Sequence, residues 1–382
     1  MSRLEAYNIA DLRALAQRRL PRGIFDYVER GCEDERGLTR NRSAFAEIKL
    51  LPRVLRDVSA VDMSTSLFGS PVPMPIAIAP TGSAGLVRYN GDLALARAAA
   101  KLGIPFTIST ASTMNLEEIA QAGGRLWFQL YLWENRDLSM EVVARAHDVG
   151  CELMMLTVDI PVPPNREFNL RNGFGIPFRP SRRNLSDMLA HPRWLTGVML
   201  RYALTTGMPR QANLPAHLRA KVTQMAQPGA SFKGDNLGWE DVARIRDRWP
   251  GRFLLKGIVR PDDAERAVQL GVDGIVVSNH GGRNLDSAVA TIDALPAVVA
   301  AVGSKTTVIV DSGIQRGSDV LKAIALGARA VLVGRATLYG LAIEGQAGVE
   351  RALGFLSAEF RQTMGLCGAP TVADITPDLV QR

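Results

Sequence analysis

The sequence contains few cysteines, and they are far apart. Cys32, Cys151 and Cys367 are odd in number, and none of them belongs to a Cys-x-x-Cys pair. A disulfide framework needs an even set of cysteines, and a structural zinc site usually needs closely spaced ones. The pattern therefore predicts reduced, structural cysteines, with neither a disulfide framework nor a metal site.

The sequence also lacks the apolar segments of exported and membrane-spanning proteins. Its N-terminus carries Arg3 and Glu5 where a signal peptide would have its apolar core. The apolar stretch 194–204 is interrupted by Arg201 and is shorter than the roughly 20 residues that cross a bilayer. We therefore expect a cytoplasmic protein without a spanning helix.

Positive charge is in excess in only one segment. The net charge is +7, and residues 177–236 hold nine Lys or Arg against two acidic residues, so the rest of the chain is balanced. Two interpretations stay open. Trp194, Tyr202 and the neighbouring arginines attach the protein peripherally to the cytoplasmic face of an anionic inner membrane, or the segment packs on the protein with its arginines in solvent. Neither interpretation predicts a nucleic-acid partner.

Eight short apolar runs alternate with helical patterns along the chain. Near-continuous apolar strands joined by helices indicate a parallel sheet covered on both faces, and eight repeats predict a (β/α)8 barrel. We expect one domain over residues 1–382, with an N-terminal helical wrap over residues 1–70 and residues 177–236 inserted after the fourth run. The eight runs are residues 74–79, 106–109, 126–131, 153–159, 253–256, 274–277, 308–311 and 330–333.

The helical patterns carry recognisable end signals. Asn8 or Asp11 can cap a first helix, and Pro21 can open a second. Later helices are predicted over residues 92–102, 138–149, 262–270 and 318–326, and each is followed by glycine, the usual residue after a helix end.

Polar side chains recur where the predicted strands end. The carboxyl ends of parallel barrel strands share one face, so these groups should line one pocket. They are Ser109, Gln129, Tyr131, Thr157, Asp159, Lys256, His280, Asp311 and Arg335.

The stretch from Ser278 to Asp286 directly follows the sixth run and holds the most reactive pair. His280 can take a proton near neutral pH, and Arg283 can bind a carboxylate through two parallel hydrogen bonds. Gly281 and Gly282 between them leave space for a ligand. The stretch indicates proton abstraction from a carboxylate-bearing substrate; the alternative is a histidine with internal hydrogen bonds beside an arginine in a surface ion pair.

Glycines follow the last two predicted strands. Gly313 and Gly317 come after the seventh run, and Gly334-Arg335 after the eighth. Backbone N–H groups at such positions form the phosphate site common in this fold. We therefore expect a phosphate-bearing ligand whose remainder reaches His280.

These motifs together resemble the FMN-dependent α-hydroxyacid dehydrogenases and oxidases over nearly the whole chain. The specific stretch is residues 278–286, and residues 157–159, 255–257 and 311–313 match in order and spacing. The mandelate dehydrogenase branch shares the most, in residues 109–112, 126–131, 191–194, 207–213 and 334–340. The membrane-associated lactate dehydrogenases share part of that pattern.

The resemblance implies oxidation of an (S)-2-hydroxy acid, most similar to mandelate, to the 2-oxo acid. His280 would be the base and Asp159 its carboxylate partner. Arg166 and Arg283 would hold the substrate carboxylate, and Tyr27 and Tyr131 would lie beside the substrate.

The resemblance also implies a binding site for FMN. Lys256 would place a fixed positive charge beside flavin N1, and Pro80, Thr81 and Gly82 would pass close to N5, with Gly82 also beside the substrate. The other expected contacts are with the pyrimidine edge, the ribityl chain and the phosphate, through Ser109, Gln129, Thr157, Ser278, Asp311, Gly313, Gly334 and Arg335.

Three positions bear on the outcome of this comparison. Gln315 replaces a family arginine expected near the FMN phosphate, for which Arg316 or Arg335 would have to compensate. Asn284 replaces a common glutamine. Gly82, where family oxidases often carry alanine, favours a dehydrogenase that reduces a membrane quinone. A homotetramer is expected from the family.

The same residues also bear on other functions. An L-lactate dehydrogenase, or an oxidase that produces hydrogen peroxide, remains the alternative. An FMN-dependent isomerase of isoprenoid diphosphates would need a second phosphate clamp in place of His280, Arg166 and Arg283, and an inactive barrel would not retain these residues.

Overall fold

The computed structural model describes residues 5–174, 181–214, 218–219 and 234–382. Its strands are Lys49–Leu50 (β1), Thr65–Leu67 (β2), Ser70–Val72 (β3), Ile76–Ile78 (β4), Phe106–Ser109 (β5), Leu126–Leu130 (β6), Leu153–Thr157 (β7), Arg252–Ile258 (β8), Gly274–Val277 (β9), Thr307–Val310 (β10), Ala330–Val333 (β11) and Val380–Gln381 (β12).

The α-helices include three short ones of three or four residues. They are Ile9–Arg19 (α1), Arg22–Glu29 (α2), Arg36–Glu47 (α3), Ala84–Val87 (α4), Gly91–Leu102 (α5), Leu116–Ala120 (α6), Arg136–Asp148 (α7), Glu167–Arg171 (α8), Arg182–Ala190 (α9), Pro192–Trp194 (α10), Arg201–Leu204 (α11), Trp239–Arg248 (α12), Pro261–Gln269 (α13), Thr291–Val302 (α14), Gly317–Ala325 (α15), Arg335–Glu344 (α16) and Gln346–Leu366 (α17).

Strands β4 to β11 form a closed parallel barrel in sequential order, in which β11 pairs with β4. Each apolar run predicted from the sequence contributes one strand, which confirms the predicted (β/α)8 barrel. Because all eight strands are parallel, their carboxyl ends meet at one mouth. The polar residues that follow them are thereby brought to the same side of the protein.

Two apolar layers hold the barrel together. Inside it, Trp127, Met155 and Leu254 pack with side chains of the other strands, and Leu67 from the β2–β3 hairpin joins this cluster. Phe68 of the same hairpin meets the Trp127 ring edge-on at 6.1 Å between centroids. The larger layer lies between the outer faces of the strands and the surrounding helices.

The helix ends follow the sequence signals closely. The Asn8 side chain caps α1 by accepting from the Asp11 N–H at 2.9 Å, and α2 begins directly after Pro21. The glycines predicted to follow helices have positive φ angles, as in Gly103 and Gly150. These local signals therefore fix most helix boundaries to within two residues.

The N-terminal helices lie at the barrel mouth because the His280 loop holds them there. Asn279 and Asn41 of α3 exchange side-chain hydrogen bonds of 2.8 and 2.9 Å. The Asp286 carboxylate accepts the N–H of Gly37 at 2.9 Å. Residues of one motif thus anchor the helical wrap as well as bordering the pocket.

The inserted segment after β7 packs against the barrel over much of its described length. Helices α9 and α10 lead into a π-helical turn, Leu195–Leu200, and then α11. Trp194 and Tyr202 are only 2% and 3% exposed. These two rings therefore cannot lie in a membrane interface, and that part of the membrane interpretation is wrong because the helices turn them toward the core. Arg179, Lys221 and Lys233, counted in the basic segment, lie outside the described residues.

Within the described ranges, we find no helix with the length and apolar character needed to cross a bilayer.

Candidate active site

A cavity of about 950 Å³ opens at the carboxyl ends of the barrel strands. Its lining includes Tyr27, His280 and Arg283 together with Gly313 and Arg335. Most of the residues that the sequence predicted for the site line this cavity. Its size is within the range of pockets that hold a cofactor together with a small substrate.

His280 stands between a carboxylate and a phenol. Its Nδ1 lies 3.0 Å from Asp159 Oδ1, and its Nε2 lies 3.3 Å from the hydroxyl of Tyr131. A carboxylate can only accept here, so Nδ1 carries a proton, and the lone pair of Nε2 is left to accept the Tyr131 proton or one from a ligand. The imidazole is thus held in the tautomer that carries its proton on Nδ1, so that Nε2 can act as a base.

The backbone around His280 is strained but well supported. His280 has a φ of +57°, in the left-handed region, and its N–H donates to Ser278 Oγ at 3.1 Å. Gly281 and Gly282 follow with φ near +70°. A Cβ atom at Gly281 would lie 2.5 Å from Arg335 Nη1, and one at Gly282 would lie 2.5 Å from the backbone nitrogen of Leu38. The glycines therefore make room for an arginine and for α3.

Burial and charge set the protonation of this pair. Burial lowers the pKa of His280, and Lys256 and Arg166 lower it further, against the opposing effect of Asp159. Burial alone would raise the pKa of Asp159, but His280 and Lys256 keep it below its usual value. At neutral pH the resting pair is therefore a neutral imidazole beside an ionised carboxylate. Burial and the charge of Asp159 raise the pKa of Tyr131, which stays protonated.

Two guanidinium groups lie beside His280, and neither has a carboxylate partner among the described residues. Arg283 donates to the carbonyl oxygens of Tyr27 at 2.7 Å and Arg30 at 3.0 Å and lies over the Tyr27 ring. Arg166 donates to the Arg283 carbonyl at 3.1 Å. Burial, Arg166 and Arg335 lower the pKa of Arg283 to about 9, so it is still charged at neutral pH. Such a site favours an anion.

Lys256 forms the charged centre of the cavity floor. Its Nζ lies 3.0 Å from Asp311 Oδ2 and donates to Ser278 Oγ at 2.8 Å. Burial disfavours the ammonium, but Asp311 and Asp159 outweigh burial and raise the pKa of Lys256. The ammonium is therefore permanently charged and fixed in position.

A chain of neutral hydrogen-bonding groups runs beside Lys256. Gln129 Nε2 donates to Thr157 Oγ1 at 2.9 Å, and Ser109 Oγ donates to Gln129 Oε1 at 3.2 Å. Asn213, from the inserted segment, donates to the backbone carbonyls of Ser109 and Thr110 at 3.1 and 3.3 Å. The insert thus supports the strand that carries this part of the site.

Glycines and arginines also line the cavity. Arg335 is one of these arginines and donates to the carbonyl of Glu29 at 3.0 Å. Arg316, one of the two arginines expected to compensate for Gln315, instead pairs with Glu359 at 3.2 Å and does not line the cavity. That expectation is wrong for Arg316 because α15 begins there and carries the side chain toward α17.

Three of the residues predicted for the site are adjacent to the cavity rather than on its surface. Asp159, Gln129 and Ser278 act through hydrogen bonds to neighbours that do line it. The remaining predicted residues border the cavity directly. They are Tyr27, Pro80, Thr81, Gly82, Ser109, Tyr131, Thr157, Arg166, Lys256, His280, Arg283, Asp311, Gly313, Gly334 and Arg335.

The sequence reasoning missed three further residues. Arg42 of α3 lines the cavity, as Gln315 does, and donates to Asp319 at 2.5 Å. Asn284, noted only as a departure, donates to the Asp159 carbonyl at 2.9 Å. Phe174 lines the cavity 5.5 Å from the Tyr27 ring. Distance along the chain from the motifs hid Arg42 and Phe174, whereas Asn284 lies inside the 278–286 stretch and only its partner, 125 positions away, was not predictable.

The residues present suit FMN. A fixed ammonium at Lys256 and the neutral groups of Ser109, Gln129 and Thr157 match the mixed polar edge of an isoalloxazine ring, and the glycines with Arg335 match a phosphate. Thr81 Oγ1 is buried at the cavity without a hydrogen-bond partner in the described part of the chain. An orphaned hydroxyl in such a place is satisfied by a bound polar ligand.

Comparison with known proteins agrees with this geometry. The family model described as FMN-dependent dehydrogenase matches residues 16–382. The chain is 41% identical over 377 residues to (S)-mandelate dehydrogenase of Pseudomonas putida, covering 98% of this chain and 94% of that protein. It is 43% identical over 377 residues to a putative L-lactate dehydrogenase of Mycobacterium tuberculosis, covering 97% and 88%.

A solved structure described as the monotopic membrane protein (S)-mandelate dehydrogenase superposes with a TM-score of 0.94 at 41% identity, covering 99% of both chains. Sequence, barrel and pocket therefore point to one conclusion: the chain belongs to the FMN-dependent dehydrogenase family.

Proposed function

We propose that this protein oxidises an (S)-2-hydroxy acid, with mandelate-like aromatic acids preferred, and passes the electrons to a membrane quinone. The observation that carries the proposal is the neutral His280 imidazole, held by Asp159 at 3.0 Å, beside Arg166 and Arg283, which form no ion pair within the part of the chain that the structure describes. A base next to an anion site is the arrangement that a hydroxy acid requires.

In this mechanism the arginines bind the substrate carboxylate and orient the carbon that bears the hydroxyl group. His280 Nε2 takes one of the two hydrogens of the substrate as a proton, and Asp159 stabilises the resulting imidazolium. Tyr131 hydrogen bonds to the substrate oxygen, and Tyr27 borders the carboxylate. FMN held in this cavity would supply the acceptor for the two electrons and for the second hydrogen. Lys256, with Ser109, Gln129 and Thr157, would hold the ring, and Asp311, Gly313, Gly334 and Arg335 the ribityl phosphate.

The preference for an aromatic acid is supported by the cavity wall. Tyr27, Phe174, Val162 and Leu237 all border it, and the Tyr27 and Phe174 rings are tilted by 51° to one another. A phenyl group gains more from contact with such a wall than the methyl group of lactate does.

The test of substrate and acceptor is anaerobic mixing of the purified holoprotein with (S)-mandelate or, separately, L-lactate, followed by admission of air. We expect rapid loss of the yellow flavin absorbance with mandelate and slow recovery in air. Bleaching by lactate alone would support the lactate dehydrogenase alternative. Fast recovery with formation of hydrogen peroxide would support the oxidase alternative. No bleaching by either acid would contradict the proposal.

The pH dependence should report His280. Because its pKa is lowered from the ordinary value of about 6.5, kcat/KM should fall as the pH falls through a midpoint below 6.5. Between that midpoint and neutral pH it should be level, because the imidazole is neutral there and Arg283 is still charged. The measurement is kcat/KM for mandelate with a dye acceptor across the acid range. A midpoint above the ordinary histidine value would contradict this assignment.

Peripheral attachment to the cytoplasmic face of the inner membrane is part of the proposal. Leu185, Leu189, Leu200 and Leu204 of the inserted segment are exposed. Such side chains on a cationic helical segment suit the interface of an anionic bilayer.

A homotetramer is proposed from the family resemblance, and sedimentation of the detergent-solubilised holoprotein tests it.

A further inference from the structure

Four arginines from three parts of the chain lie close enough to repel one another, since the charge of Arg19 interacts with those of Arg88 and Arg193, and the charge of Arg88 with that of Arg201. Arg19 lies in the last turn of α1, Arg88 directly follows α4, Arg193 lies in α10 and Arg201 begins α11. We refer to them as the arginine cluster. Two of the four lie outside residues 177–236, so the cluster is formed by the fold and not by the basic composition of the insert alone.

Specific contacts fix this arrangement. The indole N–H of Trp194 donates to the carbonyl of Leu86 at 2.8 Å and so holds the insert on α4. The Arg201 guanidinium lies 4.4 Å above the ring centroid of Tyr89, which follows Arg88. Tyr89 in turn packs against Tyr202 at 4.8 Å between centroids. These contacts hold the backbone that carries Arg88, Arg193 and Arg201 against the buried rings of Trp194 and Tyr202.

The cluster has no acidic partner. None of its four side chains forms an ion pair with a carboxylate in the described ranges, although Arg13, Arg30 and many other arginines do. Arg19 and Arg88 are half-buried. Burial lowers the pKa of Arg19, and Arg88 and Arg193 add to this effect; burial and Arg201 likewise lower the pKa of Arg88. Half-buried guanidinium groups that repel one another are stabilised by a bound anion.

Apolar side chains beside the cluster indicate which kind of anion it binds. Leu200 and Leu204 flank Arg201 on the same helical segment and are 48% and 76% exposed. A soluble phosphate would explain the arginines but not these leucines. A phospholipid surface explains both, because leucine enters the apolar boundary while guanidinium groups bind phosphates at headgroup level. Arginine suits this role through its bidentate hydrogen bonding to phosphate oxygens.

We propose that the arginine cluster is a binding site for the phosphate groups of anionic membrane phospholipids, with Leu200 and Leu204 inserted beside it. The inference rests on the proposed membrane attachment and extends it, because it assigns the attachment to Arg19 and Arg88 of the barrel as well as to the insert. It therefore makes lipid binding depend on residues that a deletion of the insert would leave in place.

The test compares binding of the full holoprotein to sedimenting vesicles of phosphatidylcholine with and without phosphatidylglycerol. The variant is Arg19→Gln/Arg88→Gln. Each lost basic side chain near an anionic surface weakens binding by about fivefold, so the expected loss is about 25-fold in the partition coefficient. The matched control, Arg248→Gln/Arg329→Gln, removes the same charge from exposed arginines elsewhere on the chain, and its binding should stay within about twofold of wild type. Dye-coupled activity in solution should be unchanged in both.

A second variant separates the two parts of the site. Leu200→Ser/Leu204→Ser keeps every charge and should weaken binding to vesicles of either composition. If wild type binds anionic vesicles and the Arg19/Arg88 variant binds equally well, the cluster is not the lipid site, although membrane attachment stands. If wild type binds neither vesicle, the membrane attachment itself fails. Inorganic phosphate could instead stabilise wild type, but not the Arg19/Arg88 variant, against thermal unfolding while wild type binds no vesicles. The occupant would then be a soluble anion, and the inference would be overturned.

Discussion

Replacement of His280 by glutamine is expected to lower kcat/KM by about 10³ to 10⁴-fold, the upper part of the range for loss of a general base. Glutamine can still accept hydrogen bonds at the position of the imidazole, but it cannot take a proton at neutral pH. The rate of anaerobic flavin bleaching by the hydroxy acid measures the effect directly, because no electron acceptor other than the flavin is involved.

The control for this variant is its flavin content. His280 does not belong to the group of side chains around Lys256 that would hold the cofactor, so the purified His280→Gln protein should remain yellow. Asp159→Asn should give a smaller loss, because the base is then present but its cation is no longer stabilised. Bleaching of the His280 variant at the wild-type rate would show that another group, with Tyr131 the nearest, removes the proton.

The barrel was predictable because its signals are local. Each strand is a short run of apolar residues bounded by helix ends that glycine marks, and a run such as Ile275 to Val277 is buried on both faces only in a parallel sheet covered by helices. The alternation of eight such runs admits few topologies. The direction of the strands then predicts that the polar residues at their carboxyl ends lie at one mouth of the barrel, without knowledge of any side-chain contact.

The partners of those residues were predictable only through the family resemblance. Asp159 and His280 are separated by 121 positions, and nothing in the local sequence of either specifies the 3.0 Å contact. Arg42 and Phe174 escaped prediction for the same reason, since each reaches the cavity from a segment outside the barrel. Resemblance to a family predicts such long-range contacts only for residues that belong to the family's motifs.

The inserted segment shows where composition misleads. Trp194 and Tyr202 together with basic residues suggested a membrane-facing surface, but an amphipathic segment buries its largest rings against the protein when a partner surface is available. The exposed leucines of the segment are the residues on which the proposed membrane attachment rests. Because Asn213 of the same segment donates to Ser109 and Thr110 in a barrel strand and the residue after it, deleting the insert would disturb the flavin site, and point substitutions separate attachment from catalysis more cleanly.

Replacement of Lys256 by methionine is expected to remove FMN binding and to destabilise the fold together. The ammonium lies 3.0 Å from Asp311, and the two side chains are only 5% and 9% exposed. Loss of Lys256 leaves the Asp311 carboxylate buried without its positive partner, which lowers the free energy of unfolding by about 3 to 5 kcal/mol. Urea unfolding of the flavin-free proteins, followed by tryptophan fluorescence, measures this change without the stabilisation that bound FMN gives wild type. The absorbance of the purified protein measures flavin content.

A double variant distinguishes the two consequences. In Lys256→Met/Asp311→Asn the buried charge is gone from both sides, so the free energy of unfolding should recover to within about 1 to 2 kcal/mol of wild type, since replacing both partners of a buried pair is often nearly neutral. Flavin content should not recover, because the fixed positive charge beside the ring is still missing. Recovery of both would mean that Lys256 serves only to neutralise Asp311; recovery of neither would mean that the lysine also packs the cavity floor in a way that methionine cannot replace.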